Sequence, residues 1–338
     1  MRNPRIKIAS HLSSAIYHCM SRTNNGERCL DDTAKEVFRK QMWQIADFCG
    51  VQIFTYAVMA NHFHVLVRIP QKNTPDDREL LRRFHVLHPK PTAYQTTRIE
   101  TITEQLKNGG QDADKWRKQQ LALMGDVSQF MKLLKQRFAM WFNRTHNRYG
   151  HLWSDRFKSV LVEGRGNVTA TMSAYIDLNP VRAGLVGDPK DYRFCGYAEA
   201  VAGNKTAQAG IAAIINTTSG NTSENTRATW QTARESYRIL LFGAGAAARA
   251  NKAAIAPETL ARVIEEKGAL PLSTVLRCRM RHFTDGAVLG TKAFVATQLA
   301  ACRRRTGQRA RTRPRPLPNV TDWGDMATLR ALRKKAFP

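Results

Sequence analysis

The hydrophobic and polar positions of the first 200 residues set out an order of short strand-like runs and longer helical ones. Residues 13–20 (Ser-Ser-Ala-Ile-Tyr-His-Cys-Met) read as a strand that runs into a polar turn at Arg22-Thr23-Asn24-Asn25-Gly26. From Asp32 to Phe48, the residues Val37, Phe38, Met42, Ile45 and Phe48 recur at helical spacing; Asp31 or Asp32 supplies a cap and Gly50 a stop. Val51 to Val58 is rich in β-formers, and after a break at Ala60-Asn61 a further strand spans His62 to Ile69, closed by Pro70. Asp126 and Gln129 have the spacing of a capping box ahead of a helix that reaches about Asn143, with Phe130, Leu133, Leu134, Phe138 and Trp141 on one broad face. Arg156 to Glu163 reads as a strand. Asn167 caps another helix, which ends near Asn179 because Pro180 disfavours helical geometry in the residue before it. Strand, helix, strand, strand, helix, strand, helix predicts an α+β fold with helices packed on a mostly antiparallel sheet.

Two stretches interrupt this order. Residues 71–124 are polar, charged and helical in tendency, broken by Pro89, Pro91 and Gly109-Gly110, and read as an insertion between core elements. Residues 203–227 are rich in Gly, Asn, Thr, Ser and Ala and read as a linker. Beyond them, 229–300 has alanine-rich helical character. Seven arginines between Arg303 and Arg315, with Pro314, Pro316 and Pro318, mark a tail expected to be disordered in isolation.

Charge narrows the choice of partner. Lysine and arginine number 53 against 27 acids, a net charge of +26. A merely solvated surface would hold the two signs in rough balance, so the excess points to nucleic acid before an anionic membrane surface. No apolar run approaches the length of a membrane span, and no apolar stretch follows the basic N-terminus as a secretory leader requires. A cytoplasmic, nucleoid-associated protein is expected. The six cysteines include no CxxC pair, which excludes a zinc ribbon by spacing and fits reduced thiols.

The candidate chemistry lies in two short segments. His62 and His64 flank Phe63 on the strand that starts there; residues two apart share a face, so both imidazoles aim at one point while Phe63 faces the opposite way. Tyr175 and Asn179 are four apart on a helix and share a face about one turn apart. Asp177, two from each, faces away. A phenol is a poor nucleophile unless its target is polarised and aligned, and a neighbouring divalent metal does both. Two imidazoles and an amide oxygen leave positions open for water and phosphate, which suits Mg²⁺ or Mn²⁺ better than closed structural zinc. Tyr17, Tyr56, Tyr149, Tyr192 and Tyr197 lack a metal-capable residue at the same helical spacing with proline next. His18 is read as strand packing, with a place near the metal as the alternative.

These segments carry a family resemblance. Met59-Ala60-Asn61-His62-Phe63-His64 together with Tyr175-Ile176-Asp177-Leu178-Asn179-Pro180-Val181-Arg182-Ala183-Gly184-Leu185-Val186 resembles the HUH-type single-tyrosine transposases, and more closely their REP-associated tyrosine transposase branch. Tyr17-His18-Cys19-Met20-Ser21-Arg22, residues 150–158 and residues 283–290 fit the same resemblance. It implies a ferredoxin-like α+β core in which His62, His64 and Asn179 hold Mg²⁺ or Mn²⁺. Tyr175 would attack a single-stranded DNA phosphate, leaving a 5′-phosphotyrosine link and a 3′-OH that can later rejoin the strand without ATP. Imperfect hairpins and palindromic repeats are the implied substrates, handled by a monomer or a homodimer.

Residues 1–200, with the insertion at about 71–124, would form the catalytic domain. Residues 201–228 would be a linker, 229–300 a helical C-terminal region and 301–338 an arginine-rich tail. Arg22, Arg156, Lys158 and Arg182 are candidate phosphate contacts and Trp153 a candidate base-stacking platform, with packing of a turn onto the core as its alternative role. The tail would add sequence-independent, salt-sensitive affinity. Two other readings remain: a catalytically silent DNA-hairpin binder, and a relaxase or replication-type nickase. The latter usually carries a helicase domain, and no GxxxxGK[ST] loop is present.

Overall fold

The computed structural model describes residues 5–71, 73–219, 229–242, 282–306, 313–317 and 325–330. Its centre is a βαββαβ unit: β1 (Ala15–Arg22), α1 (Asp32–Cys49), β2 (Gln52–Val58), β3 (His62–Ile69), then after the insertion α5 (Val127–Thr145) and β4 (Lys158–Val162). These strands lie in the order β2-β3-β1-β4 with every neighbouring pair antiparallel, the ferredoxin-like arrangement within an α+β fold. The boundaries follow the local signals. Asp31 is the cap of α1, its carboxylate accepting from the Ala34 N–H at 2.7 Å, and Gly50 ends the helix in the left-handed region. Asp126 caps α5 by accepting from the Ser128 and Gln129 amides, and its other oxygen takes a salt bridge from Lys7.

One face of the sheet is covered by α1 and α5, where Phe38 packs on Phe63 at 4.5 Å and on Phe138 at 5.1 Å between ring centroids. The opposite face is covered by α6 (Asn167–Asp177), followed by α7 (Asn179–Arg182), α8 (Gly196–Val201), α9 (Lys205–Ser219) and α10 (Trp230–Phe242). The insertion folds into α2 (Asp77–Val86), α3 (Ala93–Asn108) and α4 (Gln111–Leu121), which bury a small core of their own from Leu80, Ile102, Leu106, Ala113 and Trp116.

The structure differs from the sequence expectation in three segments. Residues 201–228, read as a linker, contain α9: Asn204 caps it by accepting from the Ala207 N–H, and Ala207, Ile211 and Ile214 form its buried stripe. Its one glycine is there for close approach, since a Cβ at Gly210 would lie 2.6 Å from the Phe54 carbonyl oxygen and 2.7 Å from that of Ile53. Gly210→Ala is therefore expected to destabilise the fold by about 1–3 kcal/mol, read as a lowered urea midpoint; an unchanged midpoint would mean α9 does not bear on β2. The region 229–300, read as helical, also contributes β5 (Gly286–Thr291), which pairs in parallel with β4 through Leu161↔Val288 and Val162↔Leu289. A short apolar run between glycines is compatible with helix or strand; an open sheet edge at β4 selects the strand. Within the segment read as a flexible tail, β6 (Arg315–Pro316) and β7 (Met326–Arg330) continue the sheet beyond β5. The remainder of these regions lies outside the described residues. Among the described residues, no helix is long and apolar enough to cross a membrane.

Candidate active site

Strand register assembles the first half of the site. Antiparallel pairing sets Met20 opposite His64 and Arg22 opposite His62, so all four side chains share the face crossed by α6. The His62 and His64 rings lie 5.2 Å apart between centroids, nearly perpendicular, and Phe63 projects from the other face into the core. His64 is buried and His62 half-buried.

The hydrogen bonds around both imidazoles fix their tautomers. Asn61 Nδ2 donates to the Gly26 carbonyl at 3.0 Å, which turns Asn61 Oδ1 toward His62 Nδ1 at 2.6 Å. His62 Nδ1 therefore carries a hydrogen and, in the neutral ring, Nε2 carries the lone pair. His18 Nδ1 lies 2.8 Å from the Phe283 carbonyl oxygen and must donate to it. His18 Nε2 lies 2.8 Å from His64 Nδ1. Burial holds His18 far below the ordinary histidine range, at about 4, assisted by the Arg182 charge and opposed by the Phe283 hydrogen bond. A neutral His18 accepts at Nε2, so His64 donates from Nδ1 and keeps its lone pair on Nε2.

The second half of the site comes from α6 and α7. The Tyr175 ring lies 6.1 Å from that of His64 and 6.4 Å from that of His18, edge-on to both. Phe283 packs on it at 4.5 Å, and the Arg182 guanidinium carbon sits 4.0 Å from its centroid while Nη2 donates to the Tyr175 carbonyl at 2.7 Å. Asn179, one turn on, donates from Nδ2 to the Tyr175 and Ile176 carbonyls, each at 3.2 Å, which makes Oδ1 its outward acceptor. Tyr175 is 2% exposed.

Asp177 does face away from this pair. Its carboxylate is fully buried and accepts from Thr55 Oγ1 at 2.7 Å, Tyr237 Oη at 2.5 Å and the Tyr197 N–H at 3.2 Å. It ties α6 to β2, α8 and α10, and so holds the rotation that sets the Tyr175 ring beside His64.

Candidate DNA-contacting residues divide between the two sides of the sheet. Arg22 is exposed beside His62, and Lys158, paired with Met20, is exposed on the same face. Arg156 is exposed just ahead of β4. Trp153 lies on the other side, packed on Phe38, Phe63 and Phe138, with its indole N–H donating to the Lys135 carbonyl at 3.0 Å. Half-buried in that cluster, it anchors a turn to the core rather than presenting a ring for base stacking. Sequence reasoning favoured strand packing for His18, with a place near the metal as the alternative, and gave Phe283 no role; His18 lies against His64 and Tyr175, and Phe283 against Tyr175 and His18. The carbonyl that matters at Phe283 is backbone and carries no side-chain signal; for His18 the signal was its polarity on an otherwise apolar strand.

The groups that could serve a cation here are two imidazoles with Nδ1 engaged and the amide oxygen of Asn179. Among the described residues no group of three or more His, Cys, Asp or Glu side chains could hold a metal, so any metal here would depend on the amide of Asn179 as third ligand.

Residues 11–78 match the family model described as transposase IS200 like, a stretch that takes in β1 to β3 with His18, Arg22, His62 and His64 and ends before Tyr175. No curated protein matches the chain. Among solved structures, a REP-associated tyrosine transposase bound to a REP hairpin is similar at 15% identity and a TM-score of 0.36, over 60% of this chain and 85% of that one.

Proposed function

We propose that the protein is a transposase of the HUH single-tyrosine kind that cleaves and rejoins hairpin-bearing single-stranded DNA. The observation that carries the proposal is the approach of Tyr175, on α6, to within 6.1 Å of the His64 ring, beside His62 on one face of a ferredoxin-like sheet, with Asn179 one turn on and bonded to the Tyr175 carbonyl. The match of β1 to β3 to IS200-like transposases supports it from an independent direction.

His62 Nε2, His64 Nε2 and Asn179 Oδ1 would hold Mg²⁺ or Mn²⁺, which when bound would polarise the scissile phosphate. Tyr175 supplies the nucleophile. Its hydroxyl oxygen forms a bond to phosphorus, the P–O3′ bond breaks, the phenolic proton passes to solvent and the leaving 3′ oxygen is protonated. The reverse attack by a 3′-OH restores the phosphodiester and frees the phenol, so no nucleotide cofactor is consumed. Arg182 holds a fixed positive charge against the phenol ring where negative charge develops. Exposed Arg22, Arg156 and Lys158 would neutralise the flanking phosphates, in keeping with the net charge of +26. At 2% exposure the Tyr175 side chain meets a phosphate only after a local rearrangement opens the site.

The burial of Tyr175 favours one other reading, a hairpin binder that does not cleave. The test is incubation with labelled single-stranded hairpin DNA from the flanks of its gene, with Mn²⁺, Mg²⁺ or excess chelator. A denaturation-resistant protein–DNA adduct that chelator abolishes is the expected result. Tight hairpin binding that is indifferent to metal, with no adduct under any condition, would establish the binder instead.

A further inference from the structure

We infer that His18 is a positioning residue for the candidate metal site, and that with the Phe283 carbonyl it forms a relay that dictates which nitrogen of His64 is offered to the metal. The inference rests on the proposed metal role of His64 and assigns a new function to the segment around Phe283. Three contacts carry it. Phe283 O accepts from His18 Nδ1 at 2.8 Å, His18 Nε2 faces His64 Nδ1 at 2.8 Å, and the two imidazoles stack at 5.0 Å between centroids with 23° between planes. A carbonyl oxygen can only accept, so His18 Nδ1 carries the hydrogen, and the neutral tautomer this selects offers its Nε2 lone pair to a hydrogen on His64 Nδ1.

The relay is buried throughout: His18, His64 and Phe283 are each at most 3% exposed. Without it, the His64 Nδ1–H would be a buried donor with no acceptor, or the ring would take the Nε2–H form and turn a hydrogen toward the site. Metal-ligating histidines in general need their distal nitrogen engaged in this way, and losing that partner costs about 10–100-fold in metal affinity. His62 has a shorter relay to the same end, through Asn61 to the Gly26 carbonyl.

Phe283 belongs to the one-turn helix His282–Asp285, which leads directly into β5 and is held by the pairing of β5 with β4. The same residue stacks its ring on Tyr175 at 4.5 Å. One residue near the C-terminal end of the chain thus sets the tautomer of a candidate ligand through its backbone and the ring position of the candidate nucleophile through its side chain. On this account the segment is part of the site, 265 residues from His18 in sequence.

The test combines two readouts on the full-length chain. In ¹⁵N-histidine-labelled protein without metal, long-range ¹H–¹⁵N spectra should give His18 and His64 as Nδ1–H tautomers, assigned by their loss in His18→Gln and His64→Gln. In His18→Leu, His64 should move to the Nε2–H form and Mn²⁺ affinity by electron paramagnetic resonance should fall about 10–100-fold. His18→Gln keeps a donor for Phe283 and an acceptor for His64, and should retain the Nδ1–H tautomer and most of the affinity. An Nε2–H tautomer on His64 in the wild type, or equal Mn²⁺ affinity in His18→Leu and wild type, would overturn the relay. Correct tautomers with no Mn²⁺ binding in the wild type would instead overturn the metal reading, and with it the purpose assigned to the relay.

Discussion

Replacing Tyr175 with phenylalanine is expected to abolish the covalent protein–DNA adduct while leaving hairpin affinity little changed. Phenylalanine keeps the ring that stacks on Phe283 at 4.5 Å and underlies the Arg182 guanidinium at 4.0 Å, so only the hydroxyl is lost. The backbone carbonyl of residue 175, which accepts from Arg182 and Asn179, is also unchanged. The adduct is read on a denaturing gel and the affinity by fluorescence anisotropy of the same hairpin. The remaining buried tyrosines are poor substitutes because their hydroxyls hold structural bonds. Tyr56 donates to Glu199, Tyr192 to the Val58 carbonyl and Tyr237 to Asp177, while Tyr17 accepts from the Ile8 N–H and Tyr197 from Arg238. An adduct that persists in Tyr175→Phe would direct attention to Tyr149 and Tyr94, which are 91% and 76% exposed.

The second large effect is expected at Asp177. Asp177→Ala removes the acceptor from Thr55 Oγ1, Tyr237 Oη and the Tyr197 N–H, leaving three buried donors without a partner. At about 1–3 kcal/mol for each unsatisfied group, the expected loss is several kcal/mol, a large part of the net stability of an ordinary domain. Asp177→Asn separates shape from charge. Burial raises the Asp177 carboxyl to about 7 in the folded protein, against hydrogen bonds that pull it down. Because the folded value lies above the unfolded one, the protonated acid favours the fold at low pH, and that contribution is lost as pH rises from about 4 through about 7. The neutral Asn variant has no such loss. Its stability relative to wild type should therefore improve by a few kcal/mol between pH 4 and pH 8, following 1.36 kcal/mol per pKa unit. Urea midpoints at the two pH values measure this; a difference that is flat with pH would mean the carboxylate is already ionised at acid pH.

The fold was legible in the sequence where a single periodicity governed each element. The helical recurrence of Phe38, Met42, Ile45 and Phe48 and the alternation through His62, Phe63 and His64 named α1 and β3, and Asp31, Gly50 and Pro70 marked their ends. The α+β layering followed from element order, and Phe63 points away from its flanking histidines as the strand period requires. What escaped was decided by tertiary context. Gly210 looked like a linker glycine because composition records flexibility and not the approach of a strand backbone. The run Gly286–Thr291 became a strand because β4 had an edge to pair. For Trp153 the sequence left base stacking and packing of a turn onto the core both open, and its place in the cluster of Phe38, Phe63 and Phe138 favours packing.

The candidate site divides along the same line. His62, His64, Tyr175 and Asn179 were marked by residue type and spacing, and the structure sets the Tyr175 ring 6.1 Å from that of His64. Their supports were not marked. Asp177 was placed correctly as facing away, but its partners in β2, α8 and α10 are set only by folding. The Phe283 carbonyl belongs to the peptide chain, so no reading of side chains could single it out.

The most direct test of the account is to identify the residue that carries the DNA. The protein is incubated with a single-stranded hairpin substrate and Mn²⁺, denatured, digested with protease and nuclease, and the nucleotide-bearing peptide is sequenced by mass spectrometry. The account requires a 5′-phosphodiester on Tyr175, absent when the metal is chelated. A nucleotide on any other residue, or none despite hairpin binding, would contradict it.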